Sequence, residues 1–208
     1  MSIHVNSGLK LYMESAIAAP VTITAITKAA PGVLSATGHT FANGDTVLLE
    51  IQGMVELHGY LCKVVNVVAS TSFQVAGVDG TAGIDTTLFS TFSSGTAKKV
   101  TLGTSIVGVQ EFAFAGGEIK TTDTTTVNDT VDTQIVVGAT AQSADMTMQW
   151  DPSAAAQQAM ITAFKTRSNK GFKVLWPDGA FAMWYGTVGY TGEPGGGKPA
   201  VTSSPTTL

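Results

Sequence analysis

A single cysteine, Cys62, occurs among the 208 residues. It can form no internal disulfide and has no second thiol with which to build a zinc site. A disulfide-stapled secreted scaffold and a structural metal module are therefore set aside, and folding in a reducing cytosol is expected. Charge is also scarce, at 12% of residues, about half the usual quarter. Eleven basic against fifteen acidic side chains leave a net charge of −4. That gives no counterion-release drive for gripping a nucleic-acid backbone, and sequence-general DNA binding is not expected. No stretch approaches the roughly 18 apolar residues of a membrane span. Met1-Ser2-Ile3-His4-Val5-Asn6 has no basic region ahead of an apolar one, so no cleaved leader is expected.

Glycine (23) and threonine (30) fill the space that charge leaves, in a chain that is 44% hydrophobic. Threonine and the β-branched aliphatics favour strands, so the composition is β-rich. The length suits one large or two small domains with a sizeable core. A monomer is ordinarily kept dispersed by surface charge, whereas a subunit that buries its surface against copies of itself needs less. Self-association is therefore an expectation.

Leu9, Leu11 and Met13 alternate with Lys10, Tyr12 and Glu14, the period of a half-buried strand. After a break at 16–20, runs rich in Val, Ile and Thr occupy 21–27, 32–37, 45–51, 60–68 and 72–78. Ala30-Pro31-Gly32, Ala42-Asn43-Gly44-Asp45, His58-Gly59 and Asp79-Gly80 punctuate them, which predicts five strands of a small β-domain. Residues 79–95 are poor in large side chains and read as a linker or return loop, with a boundary near residue 100. Strands resume at 99–102 and 106–114. In the latter, Gln110, Phe112 and Phe114 oppose Val109, Glu111 and Ala113, and the face with two Phe is expected to meet a core.

Residues 116–143 are polar, with one apolar island at Ile135, Val136 and Val137. A loop of that length has no core of its own and is expected to become ordered on a partner. Ala144, Met146, Met148 and Trp150 then alternate with Asp145, Thr147 and Gln149 as a strand. Asp151-Pro152 supplies an N-cap acceptor and a first-turn proline. Ala156, Ala159, Met160, Ala163 and Phe164 follow at helical spacing up to Lys165, with Gly171 as terminator. Strands at 172–176 and 180–190 flank Pro177-Asp178-Gly179 as a hairpin, and the tail from Thr191 is rich in Gly, Pro, Ser and Thr. The fold class expected is mainly β with one α-helix (α+β).

Catalytic chemistry finds little support. Gly192-Glu193-Pro194-Gly195-Gly196-Gly197-Lys198 has P-loop spacing, but Pro199 stands where a magnesium-binding Ser or Thr and a helix are required. His4, His39 and His58 have no paired metal-ligand spacing and read as turn or surface residues. There is no Gly-x-Ser-x-Gly elbow. Cys62 lies at an alternating strand position and reads as a buried small hydrophobe. No catalytic, cofactor or metal site is expected, and the chain reads as non-enzymatic.

Acidic residues are concentrated. Glu111, Glu118, Asp123, Asp129, Asp132, Asp145 and Asp151 stand against Lys120 alone between Thr104 and Asp151, while the remainder of the chain is net positive by two. Glu111 and Asp145 fall on the polar faces of their strands. Two readings stay open: an ordinary solvated sheet face, or acidic side chains that a ring of subunits displays toward one shared surface.

Several landmarks occur in a known order. They are Gly8-Leu9-Lys10-Leu11-Tyr12, Gly116-Gly117-Glu118-Ile119-Lys120-Thr121-Thr122, the 144–150 strand running into Asp151-Pro152, the single helix, and residues 172–176 with Pro177-Asp178-Gly179. Together they resemble the lambda-type tail tube proteins of long-tailed phages, over residues 8–19 and 100–200. The intervening Gly38-His39-Thr40-Phe41-Ala42-Asn43-Gly44-Asp45, Gly53-Met54, Leu57-His58-Gly59 and Thr71-Ser72-Phe73-Gln74-Val75 resemble the FCCH-like repeat of phage structural proteins. That name denotes a β-fold and brings no catalytic residues with it.

The resemblance implies a tail-tube-type β-sandwich or half-barrel over 1–19 and 100–208, with a small β-domain inserted at 20–99. It implies a virion protein made in the bacterial cytoplasm that closes into hexameric rings and stacks them into a conduit for DNA ejection. Tape measure, tail terminator and distal tail proteins would be its other partners. Glu111 and Asp145 would line the lumen. Glu118, Asp123, Asp129, Asp132, Ile135, Val136 and Val137 would make contacts between subunits or rings. Relatives usually carry a further strand after the hairpin, whereas this tail contains Pro205. The alternative is a surface adhesion module whose small domain binds a host polysaccharide or filament.

Overall fold

The computed structural model describes residues 8–76, 83–126, 130–193 and 203–207. The first half of the chain holds β1 (Lys10–Met13), β2 (Ala16–Ile17), β3 (Val21–Ile23), β4 (Ala25–Ile26), β5 (Leu34–Ser35), β6 (Thr46–Gln52), β7 (Leu61–Val68), β8 (Ser72–Ala76) and β9 (Ser94–Thr101). The second half holds β10 (Thr104–Ile106), β11 (Val109–Ala115), β12 (Ile119–Asp123), β13 (Gln134–Ala139), β14 (Ser143–Gln149), α1 (Ala155–Thr166), β15 (Lys170–Leu175), β16 (Phe181–Gly186) and β17 (Ser203–Thr207). The protein is mainly β, with one helix and no sheet closed on itself among the described residues.

Two antiparallel sheets, ordered β10-β1-β15-β16 and β11-β14-β17, share one core with α1. Leu11, Met13, Phe172 and Val174 of the first sheet meet Ala144, Met146 and Met148 of the second and Ala156, Met160 and Ala163 of the helix. Each large apolar side chain so buried contributes about 1.5–3 kcal/mol by leaving water. Alternation is what sorts them: Ala144, Met146 and Met148 are buried while Asp145 and Gln149 between and beyond them are exposed. Gly179, at φ +90, turns the chain between β15 and β16.

An eight-stranded sheet, β2-β9-β6-β7-β8-β5-β4 with β3 also on β9, has its own core of Ile23, Leu34, Phe41, Leu49, Met54, Phe73 and Val75 among others. It meets β16 through a smaller cluster in which Leu48, Leu61 and Val100 pack with Leu102, Met183 and Tyr185.

Several expectations are corrected. The run at 21–27 divides into β3 and β4. β9 starts at Ser94, well before residue 99; it pairs with β6 from Ser94↔Gln52 to Val100↔Thr46, so its partner specifies it where its own Ser, Gly and Thr residues do not. The helix begins at Ala155 with no side-chain cap, because the Asp151 carboxylate instead accepts the N–H and hydroxyl of Ser153. It ends at Arg167 in left-handed conformation (φ 52), and Gly171 lies within β15. Phe164 is 42% exposed, off the core face. His39 is buried, stacked on Phe41, and its Nδ1 accepts the Phe41 N–H. Glu14 is also buried and accepts from Lys170 Nζ at 3.0 Å and from the Gly171 N–H.

Candidate assembly surface

The outer face of the β11-β14-β17 sheet gathers the acidic strand residues. β11 and β14 run antiparallel with Glu111 opposite Thr147 and Ala113 opposite Asp145, so Glu111 and Asp145 stand on one face, as diagonal neighbours from pairs two steps apart. Both are exposed. A bulge between Val109 and Glu111 breaks the simple alternation expected for 109–114. Val109 consequently packs on the same core as Phe112. Phe114, expected to face that core, is 53% exposed and rests edge-on against Trp184.

The stretch expected to be a loop is a hairpin arm. β12 and β13 form a separate two-stranded sheet from Ile119↔Ala139 to Asp123↔Gln134. Every residue of β12 is exposed, as are residues 134–138. Ile119, Ile135, Val136 and Val137 stand 68%, 54%, 66% and 58% exposed. An isolated two-stranded hairpin is marginal in water, and these aliphatic side chains stay more than half exposed in the monomer. Asp123 accepts the N–H and hydroxyl of Thr125, which hold its carboxyl below the usual range and keep it ionised. Glu118 and Asp132 are exposed on the arm as well; Asp129 lies outside the described residues.

The root of the arm is fixed. Gly116 has φ +87, and a Cβ there would collide with the Ala141 carbonyl oxygen, so only glycine fits. Beside it, Thr140 donates its N–H to the Glu118 carbonyl at 2.8 Å and accepts the Glu118 N–H on its hydroxyl at 2.8 Å.

Among the described residues, the β11-β14-β17 sheet has an open edge on either side. β17 pairs with β14, with Pro205 opposite Thr147, so a further strand does follow the hairpin; proline is tolerated there because this strand lies at the sheet margin. β11 is the opposite margin. Among the described residues no cluster of His, Cys, Asp and Glu could hold a metal ion, and no helix is long and apolar enough to cross a membrane. Burial pushes the Cys62 thiol up to about 12, which leaves it inert as a nucleophile at neutral pH. Residues 194–198 of the P-loop-like stretch lie outside the described residues.

A sandwich with open margins, an acidic outer face and an unburied arm has the makings of a repeating subunit. The family model for phage tail tube proteins matches residues 53–204. The chain belongs to the phage tail tube protein family. No curated protein matches it. As a tail tube protein it is a structural component of the virion whose function is self-assembly into a tube. The matched residues take in β7 to β9 of the eight-stranded sheet as well as the arm, α1 and the hairpin of β15 and β16. Open strand margins, unsatisfied in one copy, can be completed by another. Sequence reasoning missed two parts of this surface. In the arm, β12 carries Thr121 and Thr122 in place of a hydrophobic period and β13 runs Ile135-Val136-Val137 without alternation; Lys165 and Arg167 at the end of α1 border a hollow, shared with Thr187 and Val188, that only the tertiary fold creates.

Proposed function

We propose that this tail tube protein is of the lambda type, closes into hexameric rings, and stacks them into the conduit through which DNA is ejected into the host. The observation that carries this reading is the arm, whose exposed Ile119, Ile135, Val136 and Val137 need a surface that one copy does not provide. In the tube, the arm lies on a neighbouring ring, with Ile135 to Val137 as its apolar anchor and Glu118, Asp123, Asp129 and Asp132 as its charges. Glu111 and Asp145 face the bore. Their carboxylates repel phosphates, so the polyanion passes without adhering.

The small β-domain at 20–99 is an FCCH-like insertion on the tube exterior. Its separate core supports this assignment, although β2 and the end of β9 tie it to the flanking strands. Tape measure, tail terminator and distal tail proteins are the partners at the ends of the tube. The protein is made in the cytoplasm of the host.

Negative-stain microscopy of concentrated protein tests the reading. The full chain is expected to form tubes of hexameric symmetry, and a chain lacking residues 123–132 is expected to stay a folded monomer. Intact tubes from the shortened chain would refute the role of the arm.

A further inference from the structure

Two hollows open on either side of Thr187 and Val188, which line both. One, of about 410 Å³, is walled by Phe114, Trp184 and Gln142 at the root of the arm. The other, of about 520 Å³, is walled by Phe164, Lys165 and Arg167 at the end of α1. Phe114 and Phe164 are large exposed aromatics, 53% and 42% accessible. The Trp184 indole N–H is buried without an acceptor among the described residues. Lys165 and Arg167 are exposed, and neither takes part in an ion pair among the described residues, whereas Lys98, Lys99 and Lys170 each hold a carboxylate. An apolar groove with a cationic rim thus lies on the side of the sandwich where α1 ends.

The arm has the complementary character. Residues 116–142 carry four acidic side chains and one lysine, and Asp123 is held ionised by Thr125. Its aliphatic residues occupy both faces of the hairpin, since Ile135 and Val136 are adjacent in β13. It cannot serve its own groove, because its described strand residues are exposed while it remains attached at that groove's edge.

We infer that the groove flanking Thr187–Val188 is the receptor for the arm of a second copy, with Val136 and its neighbours covering Phe114 and Phe164, and with Asp123 and Asp132 meeting Lys165 and Arg167. This rests on the reading of the arm given above and names the surface it lies on. Donor and receptor are different parts of one chain, so the contact is heterologous and propagates from copy to copy. Opposite charges at its rim fix the register and exclude a like-charged approach.

Charge reversal tests it in the full chain. Lys165→Glu with Arg167→Glu is expected to lower the polymerised fraction at least tenfold, and adding Asp123→Lys with Asp132→Lys to the same chain is expected to restore tubes. Wild-type yields of tubes from the reversed rim would overturn the proposal, as would a fourfold variant no better than the double one. Should a reversed chain lose its thermal transition, a cysteine pair decides instead. Val136→Cys with Phe164→Cys is expected to give a ladder of disulfide-linked oligomers on oxidation, and tubes without a ladder would overturn the receptor assignment. Tubes from the chain lacking residues 123–132 would sink the arm reading itself, a result separate from either of these.

Discussion

Glu111 and Asp145 stand diagonally across the β11–β14 pair on a single exposed face, because Asp145 lies opposite Ala113 and Glu111 opposite Thr147. Neither supports the core beneath it, so their charge can be changed without touching the packing. Glu111→Lys with Asp145→Lys is expected to leave the thermal transition and tube formation intact while impairing DNA ejection. Infectivity equal to the parent phage would count against a bore-facing role.

A second expectation concerns Glu14, whose buried carboxylate is held by Lys170 Nζ at 3.0 Å and by the Gly171 N–H. Lys170→Met strands that carboxylate with a single donor. The Lys170 side chain is 30% exposed, so the loss is smaller than for a fully buried pair, about 2–3 kcal/mol. Urea unfolding measures it, and an unchanged midpoint would show that the pair is dispensable.

Tyr190, in the segment after β16, is tied to the helix. Its hydroxyl donates to Gln157 Oε1 at 2.8 Å, and Gln157 Nε2 in turn donates to the Gln149 carbonyl at 2.6 Å. Tyr190→Phe keeps the ring and removes one buried hydrogen bond, so a loss of about 1–2 kcal/mol is expected. A stability change within error of zero would show that the contact is replaced by another.

Cys62 offers a pH signature. Burial raises its thiol to about 12 in the folded protein, against about 8.5 for a free cysteine. A raised folded value means that the stabilisation is complete below the unfolded thiol value and is lost as pH rises toward the folded one. The contribution of Cys62 should decline between about pH 8.5 and 12, and Cys62→Ala should flatten that part of the stability profile. Iodoacetamide at pH 8 should label the native chain at least about 100-fold more slowly than the urea-unfolded chain. Equal rates would contradict the burial.

The strand from Ser143 to Gln149 was legible because Ala144, Met146 and Met148 alternate with polar residues, and the buried side chains follow that alternation. So were the short strands of the first half, where turn residues punctuate β-branched runs. β9 and the arm were not, because Ser94, Gly95 and Thr96, or Thr121 and Thr122, become strand only through the hydrogen bonds of a partner strand. The start of α1 misled for a local reason: Asp151 can cap a helix or close a turn on Ser153, and it does the latter. His39 looked like a surface turn residue since nothing in its own segment shows that Phe41 and Phe73 enclose it. Alternation put Glu111 and Asp145 on polar faces, but only the β11–β14 register, bulge included, brings the two together.

Gly116 carries a consequence beyond its own turn. With a backbone geometry closed to other residues and the Ala141 carbonyl against it, the hairpin leaves the sandwich along one bearing. In the assembly proposed above, copies joined through that projection would inherit the same inclination each time, so a lattice of uniform pitch would need no template to set its angle.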